Sequence, residues 1–312
     1  MNKANLTMSS IADRRAILAG AGLTAMGLAG LTGTNRAGAT EATPAAYQVQ
    51  RSEKLAPDFA DLPYVTDGDS AQVLDVYTPL AGAPTPYPLV LWIHGGGWTS
   101  GDKRNIAVRY LLDDGFAIAS MNYRLMPEAL FPAQIQDANA ALSWVWDNAK
   151  TFKFDLDRVI VAGGSAGGTS TVLTSVSLNN DVPEFRSDSR VKIAAMIDFF
   201  GISSEEHAGV KASRNSEVAA LIADPDNAAT LQLLNTAQFI DSSDPPALIL
   251  HGEEDATVSI TQSEELAGNL EAAGVPVTFK RFPNAGHGGD VSRAPETPAI
   301  VRGFLDDVFA IS

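Results

Sequence analysis

The sequence has no cysteine among its 312 residues. This absence excludes a disulfide framework and any metal site built from thiolates. It also excludes the lipid-modified cysteine that anchors exported lipoproteins. The absence of cysteine therefore rules out a lipoprotein, but it does not identify a compartment.

Basic residues are also scarce, with 22 lysines and arginines against 37 acidic residues and a formal net charge of −15. Such a surface repels nucleic acid and anionic lipid headgroups. Only four histidines are present, and they are not spaced as metal ligands are. We therefore expect no nucleic-acid partner, no metal and no cofactor.

The first 39 residues differ in composition from the rest of the chain. Arg14 and Arg15 precede an uncharged stretch rich in Ala, Gly and Leu (residues 16–31), and residues 37–39 (AGA) supply the small side chains of a cleavage site. This pattern resembles a twin-arginine export signal. The alternative is a membrane anchor, but the uncharged stretch is short for a span that needs about 20 residues. We predict a removed signal at 1–39, a mature domain at 40–312 without a stable membrane anchor, and a periplasmic or extracellular location.

Short apolar runs alternate with longer amphipathic segments through most of the remaining chain. Strands are predicted at 73–77, 89–93, 116–123, 159–162, 191–200, 247–250 and 277–282, and helices at 103–114, 132–150, 166–178, 260–273 and 298–309. This alternation indicates parallel β-α-β units with helices on both faces of one sheet. Residues 40–62 are predicted to be an irregular lead-in, and residues 201–244 a helical excursion or small lid.

Ser165 lies at the junction of a β-branched strand and a helix, with Gly163 and Gly167 two residues to either side. This G-x-S-x-G spacing is typical of a nucleophile elbow. In such a turn the two backbones nearly touch, so that Cβ atoms at the glycine positions would collide. A glycine-rich turn without chemistry is the alternative, and the choice depends on whether a base, an acid and an oxyanion site occur in the required order.

A run of three glycines, residues 95–97, follows His94 at the end of the buried strand 89–93. Consecutive glycines expose backbone N–H groups to a ligand. Beside the elbow, the amides of Gly96, Gly97 and Ala166 would converge on a developing oxyanion. His94 is expected to shape this loop through a local hydrogen bond rather than to act as a base.

Three carboxylates compete for the role of the acid after the strand 247–250. Asp255 is favoured by the spacing H-G-x-x-D-x-x-V, whereas Glu253 and Glu254 are expected to be solvated surface charges. His251, just before the glycine that ends the strand, is expected to be structural.

The predicted base is His287, which follows the last strand in a glycine-flanked loop. His207 has no supporting pattern, and Asp290 ranks below Asp255 as the partner of the base. The resulting order of serine, aspartate and histidine is the order found in α/β-hydrolases. The sequence therefore predicts a triad of Ser165, Asp255 and His287.

The chain resembles the bacterial carboxylesterases of the α/β-hydrolase superfamily, in particular the feruloyl-esterase-like group related to hormone-sensitive lipase. The resemblance extends from about residue 73 to the C-terminus and rests on residues 94–98 (HGGGW), 122–128 (NYRLMPE), 131–134 (FPAQ), 163–168 (GGSAGG), 198–201 (DFFG), 251–258 (HGEEDATV) and 286–288 (GHG). It implies an α/β-hydrolase fold with a mostly parallel sheet, the same triad and the same oxyanion hole.

The sequence departs from the family pattern at three positions. Asn122 and Met126 replace the usual Asp and Ala, and Ile202 stands where proline is usual. The short lead-in also implies at most a small cap over a shallow, open site. Trp98 and Tyr123 are either walls of an aromatic acyl pocket or core residues.

The expected function is hydrolysis of small-molecule or polysaccharide-linked carboxylic esters through an acyl-enzyme intermediate. An arylformamidase-like amide hydrolase, which shares H-G-G-x-W, is one alternative. A non-catalytic hydrolase fold used for binding is the other.

Overall fold

The computed structural model describes residues 56–80, 82–180, 182–204 and 232–310, and an eight-stranded sheet lies at their centre. The strands are β1 (Phe59–Pro63), β2 (Val73–Tyr77), β3 (Tyr87–Ile93), β4 (Ala117–Met121), β5 (Phe154–Gly164), β6 (Ala195–Phe199), β7 (Ala247–Gly252) and β8 (Val277–Phe282). Their order across the sheet is β1-β2-β4-β3-β5-β6-β7-β8. Only the pairings of β2 with β1 and with β4 are antiparallel. The predicted α/β-hydrolase fold is therefore confirmed.

Helices cover both faces of the sheet. They are α1 (Ala133–Phe152), α2 (Ala166–Val176), α3 (Thr261–Ala273), α4 (Gly289–Ser292) and α5 (Thr297–Ala310), with 3-10 turns at Arg109–Leu112 and Thr236–Gln238. Helix α3 ends at Ala273, where the sequence predicts its end. The next residue, Gly274, adopts the left-handed conformation (φ 86°) that glycine takes without strain. In α1 the same position is occupied by Lys153, whose N–H donates to the carbonyl of Ala149.

Side chains that alternate along the central strands fill two separate cores. In β3, Leu89 and Leu91 join the core beneath α1, α2 and α3, whereas Val90 and Trp92 join the core beneath α5. Because both faces of β3 are buried, its sequence is continuously apolar. The sheet is thus held rigidly from both sides, and the carboxyl ends of its parallel strands meet at one edge.

Two parts of the prediction are wrong. The lead-in contains β1, which pairs with β2, although its exposed side chains leave no alternating pattern to detect. Residues 103–114 are not a helix, apart from the short turn near their end. At the start of this stretch, the backbone of Lys103 bonds side chains at the end of β4 instead: its N–H donates to Oδ1 of Asn122, the residue after the strand, and its carbonyl accepts from the hydroxyl of Ser120. The ammonium of Lys103 is also tied to Asp75 on β2 at 2.9 Å.

The predicted export signal (1–39), its boundary with the mature domain and residues 205–231 of the predicted excursion lie outside the described residues. None of the helices in the described ranges combines the length and the apolar character that crossing a bilayer requires.

Candidate active site

Ser165 occupies a strained turn between β5 and α2, with φ 55° and ψ −122°. A non-glycine residue in this conformation is uncommon and costs on the order of 1–3 kcal/mol. The N–H of Ser165 donates to the carbonyl of Phe199 at 2.8 Å, which ties the turn to β6. A Cβ atom at Gly163 would overlap the carbonyl of Gly167, and one at Gly167 would overlap the carbonyl of Ile93. The two glycines of the motif are therefore required by the close approach of strand and helix.

The structure brings the predicted serine, histidine and aspartate into one hydrogen-bonded chain. Ser165 Oγ lies 2.9 Å from His287 Nε2, and His287 Nδ1 lies 2.6 Å from Asp255 Oδ2. Asp290, the competing acid, instead accepts a hydrogen bond from the N–H of Gly286 at 3.2 Å. The geometry thus pairs His287 with Asp255.

Asp255 is held by donors on both carboxylate oxygens. Its Oδ1 accepts from the N–H groups of Thr257 and Val258, each at 2.8 Å, while Oδ2 faces His287 and also His251 Nε2 at 3.2 Å. Burial alone would raise the pKa of this carboxyl, but the hydrogen bonds from the two histidines and from the backbone outweigh burial and lower the pKa below its usual range. Asp255 is therefore ionised across the neutral range and faces the imidazole as a carboxylate.

His251 is part of this arrangement, which the sequence did not indicate. It is fully buried, with Nδ1 2.7 Å from the hydroxyl of Ser263 and Nε2 2.9 Å from the carbonyl of Val258. A neutral ring with its proton on Nε2 satisfies all of these contacts, because Nε2–H faces Val258 and Asp255 while Nδ1 accepts from Ser263. His251 has the expected structural role, and the group that it holds in place is the carboxylate of Asp255.

Phe200 packs directly against His287, with ring centroids 4.7 Å apart. It adopts φ 47° immediately after β6, in the DFFG stretch. With Trp92 and Phe199 it supplies the aromatic surface of the cavity in front of Ser165. The position of DFFG at the end of a buried strand is the only sequence signal for these aromatic contacts.

The glycine loop lies against the elbow. A Cβ atom at Gly95 would fall near the carbonyl of Gly164, and Gly96 (φ 121°) and Gly97 (φ 59°) line the same cavity as Ser165. Among the described residues, no hydrogen bond uses the N–H of Gly96 or Gly97. The N–H of Ala166 is in the first turn of α2, where amides have no partner within the helix. The N–H groups of Gly96 and Gly97, which line the cavity, and of Ala166, next to Ser165 in the chain, are thus available as donors.

His94, Trp98 and Tyr123 belong to the core behind this loop. His94 Nδ1 contacts the carbonyl of Gly95 at 2.8 Å, its ring stacks on Tyr123 at 4.4 Å, and burial lowers its pKa. The hydroxyl of Tyr123 donates to the carbonyl of His94, and Trp98 Nε1 donates to the hydroxyl of Ser170. Both aromatic residues are about 1% exposed, so they are core residues and not pocket walls. The remaining histidine, His207, lies outside the described residues.

The three departures from the family pattern each have a place in the fold. Asn122 receives the N–H of Lys103, and Met126 is buried in the core beneath α1. The N–H of Ile202 donates to Thr169 Oγ1 at 2.8 Å, a hydrogen bond that proline cannot form.

The cavity in front of Ser165 and His287 has a volume of about 530 Å³ and is lined mostly by glycine, aromatic and small polar residues. Arg293 is the one Lys, Arg, Asp or Glu side chain among the described residues that line it. Elsewhere in the described ranges, no three His, Asp or Glu side chains are grouped as a metal ion requires.

Comparisons with known proteins identify relatives of this arrangement. The family model BD-FAE matches residues 74–270. Esterase LipQ of Mycobacterium tuberculosis (strain ATCC 25618 / H37Rv) is 27% identical over 265 residues, which are 81% of this chain but only 62% of LipQ. Among solved structures, a truncated carbohydrate esterase from gut microbiota has 25% identity and a TM-score of 0.70 over 80% of this chain and 96% of its own. Inhibited esterase B from Lactobacillus rhamnosis has 27% identity and a TM-score of 0.69 over 80% and 86% of the two chains.

Proposed function

The chain belongs to the BD-FAE family, and from that premise we propose that it hydrolyses carboxylic esters with Ser165 as the nucleophile. The proposal depends above all on the continuous hydrogen-bonded chain from Ser165 through His287 to Asp255. A serine hydroxyl is a weak nucleophile on its own, and a base within hydrogen-bond distance is what activates it.

In the first half of the reaction, Ser165 Oγ attacks the ester carbonyl while His287 Nε2 takes the hydroxyl proton. The imidazole is then positively charged, and the Asp255 carboxylate stabilises that charge and keeps the other ring proton on Nδ1. When the tetrahedral intermediate collapses, the C–O bond breaks and the proton on Nε2 passes to the leaving alcohol. The product is an acyl-enzyme on Ser165.

In the second half, water takes the place of the alcohol. His287 Nε2 removes a proton from water, the resulting hydroxide attacks the acyl carbon, and the proton returns to Ser165 Oγ as the acid leaves. In both halves the negative oxygen would accept from the N–H groups of Gly96, Gly97 and Ala166. The loss of one such donor typically lowers turnover by roughly 10²–10³.

We propose short-acyl or aromatic esters of small molecules or of carbohydrates as the substrates. One structural relative is described as a carbohydrate esterase, and another relative is the versiconal hemiacetal acetate esterase of Dothistroma septosporum, 24% identical over 83% of this chain. The cavity of about 530 Å³, with aromatic walls from Trp92 and Phe200, is of the size that small ligands occupy.

Two measurements test the proposal. A fluorophosphonate should label the wild-type protein and Ser143→Ala, which removes a hydroxyl from α1, but not Ser165→Ala. Ester and formamide panels then distinguish an esterase from an arylformamidase-like enzyme. Labelling of Ser165→Ala would contradict the assigned nucleophile, and preference for formamides would contradict the assigned reaction.

We also propose that the protein is exported through a twin-arginine signal in residues 1–39. The support is the sequence pattern of Arg14 and Arg15 before an uncharged, Gly-rich stretch. Replacing both arginines with lysine should retain the precursor in the cytoplasm. Continued export of that variant would contradict this route.

A further inference from the structure

Arg293 is the cation of the proposed active-site cavity. It directly follows α4 and lines the cavity together with Ser165 and His287. A Cβ atom at Gly289 would overlap Nη2 and Cζ of Arg293, so the guanidinium lies against the backbone of Gly289, two residues after His287. The absence of a side chain at Gly289 is thus what allows the guanidinium to lie at this position.

The guanidinium has no partner among the described residues. No hydrogen bond or ion pair of its side chain is formed there, and no Asp or Glu of the described ranges lines the cavity. Six of the eight other arginines in the described ranges are paired with carboxylates: Arg104 with Asp102, Arg124 with Asp137, Arg158 with Asp155, Arg190 with Asp188, Arg281 with Glu264 and Arg302 with Asp114. In a chain with 37 acidic residues and 22 basic ones, an unpaired arginine in the cavity is left for an external anion.

An arginine side chain binds carboxylates through two parallel, charge-assisted hydrogen bonds. Because Arg293 is the one Lys or Arg side chain among the described residues that line the cavity, it matches a group with one negative charge. We propose that the cavity takes esters that carry a free carboxylate, which Arg293 binds while Ser165 attacks the ester carbonyl. This inference rests on the proposed ester hydrolysis and names a substrate class for it.

The overall charge of the protein opposes this preference, since a net charge of −15 repels anions at long range. A carboxylate is therefore favoured only where it reaches Arg293 itself. A charge-assisted hydrogen bond changes an equilibrium or rate ratio by about tenfold or more. We expect about tenfold, because the side chain of Arg293 is exposed to solvent in the free protein.

The test compares each charged ester with its neutral methyl ester. For a carboxylate on the acyl side, the pair is the mono-para-nitrophenyl ester of adipic acid and its methyl ester. For a carboxylate on the alcohol side, the pair is para-acetoxybenzoate and its methyl ester. The measured quantity is the ratio of kcat/KM for the charged over the neutral member, because a general loss of activity in a variant cancels in this ratio.

In at least one pair, Arg293→Gln should lower the ratio about tenfold, and Arg293→Lys should restore part of it. Arg190→Gln is the charge-matched control: Arg190 is an exposed residue outside the cavity, and its replacement should leave the ratio unchanged. An equal ratio in the wild type and Arg293→Gln for both pairs would overturn the inference while ester hydrolysis itself still stands. If the wild type hydrolyses none of the four esters, the proposed function falls, and the inference falls with it.

Gly289→Ala tests the position of the guanidinium without changing the charge. The added methyl group must displace the end of the Arg293 side chain, so the ratio should fall although the arginine remains. An unchanged ratio in Gly289→Ala would contradict the assigned position.

Discussion

Asp255→Asn tests the triad most sharply, because the structure determines which way the new amide must face. Asp255 Oδ1 accepts two backbone N–H groups, each at 2.8 Å. The carbonyl oxygen of an asparagine must therefore stay at that position, and its NH2 group takes the position of Oδ2. There it lies 2.6 Å from His287 Nδ1, which must now accept a hydrogen bond and lose its proton.

The consequence is the wrong imidazole tautomer. With Nδ1 unprotonated, the neutral ring carries its proton on Nε2, which faces Ser165 Oγ and cannot accept the hydroxyl proton. Comparable triads lose about 10⁴ in turnover after this substitution, which corresponds to about 5 kcal/mol in the activation free energy. The amide also faces His251 Nε2–H, so we expect the free energy of unfolding to fall by about 1–3 kcal/mol.

The assay is the turnover of a soluble short-chain ester, measured on protein shown to be folded by circular dichroism. Asp290→Asn is the matched control. Asp290 accepts only the N–H of Gly286 among the described residues, a bond that an amide oxygen can replace, so its turnover should stay within about twofold of the wild type. If Asp255→Asn keeps more than a tenth of wild-type turnover, or if Asp290→Asn loses as much, the tautomer argument is refuted.

Three further predictions concern the surroundings of the triad. His251→Phe should lower turnover about tenfold, since Asp255 loses a charge-assisted hydrogen bond, and an unaltered kcat in the folded variant would contradict this positioning role. Burial raises the pKa of Asp198 to about 7, against about 3.9 in an unfolded chain, so this carboxyl makes the protein lose stability as pH rises from about 4 to 7. Asp198→Asn should reduce that loss of stability by up to about 1.4 kcal/mol per pH unit. The free energy of unfolding in urea at pH 5 and at pH 8 measures the loss, and an equal loss in the variant would refute the raised pKa of Asp198. Rate against concentration for short and long acyl chains should show simple saturation, whereas a jump above the solubility limit would indicate a lipase with an interfacial lid.

The sheet and the grouping of Ser165, Asp255 and His287 could be predicted from sequence because both depend on local patterns. Buried parallel strands such as β3 and β7 are continuous apolar runs, and their carboxyl ends must meet at one edge of the sheet. Ser165 and Asp255 follow such strands, β5 and β7, whereas His287 follows β8, a partly exposed strand at the edge of the sheet. Because these three strands are parallel, the topology brings the three side chains together. The spacing around Ser165 adds a steric requirement that only glycine meets.

What escaped prediction depends on tertiary contacts without a local pattern. β1 is an exposed edge strand without alternation, and residues 103–114 have helical spacing that the contacts of Lys103 override. The contact of His251 with Asp255 depends on how the loop after β7 turns back over the strand. The approach of Arg293 to the cavity likewise depends on the path of the chain after His287.

The chain after β8 carries both His287, which pairs with Asp255, and Arg293, which lines the cavity, and the two side chains have separate contacts. Asp290 accepts the N–H of Gly286 and so closes the turn that presents His287, while the partner of that histidine, Asp255, is fixed from β7. Arg293 takes part in neither contact and reaches the cavity from the end of α4. Substitutions at Arg293 can therefore change which ester is bound without altering the proton path, because the Arg293 side chain has no hydrogen bond to the residues of that path. If instead Arg293→Gln changed the pH dependence of turnover on neutral esters as strongly as its selectivity, the two side chains would be coupled and this separation would be wrong.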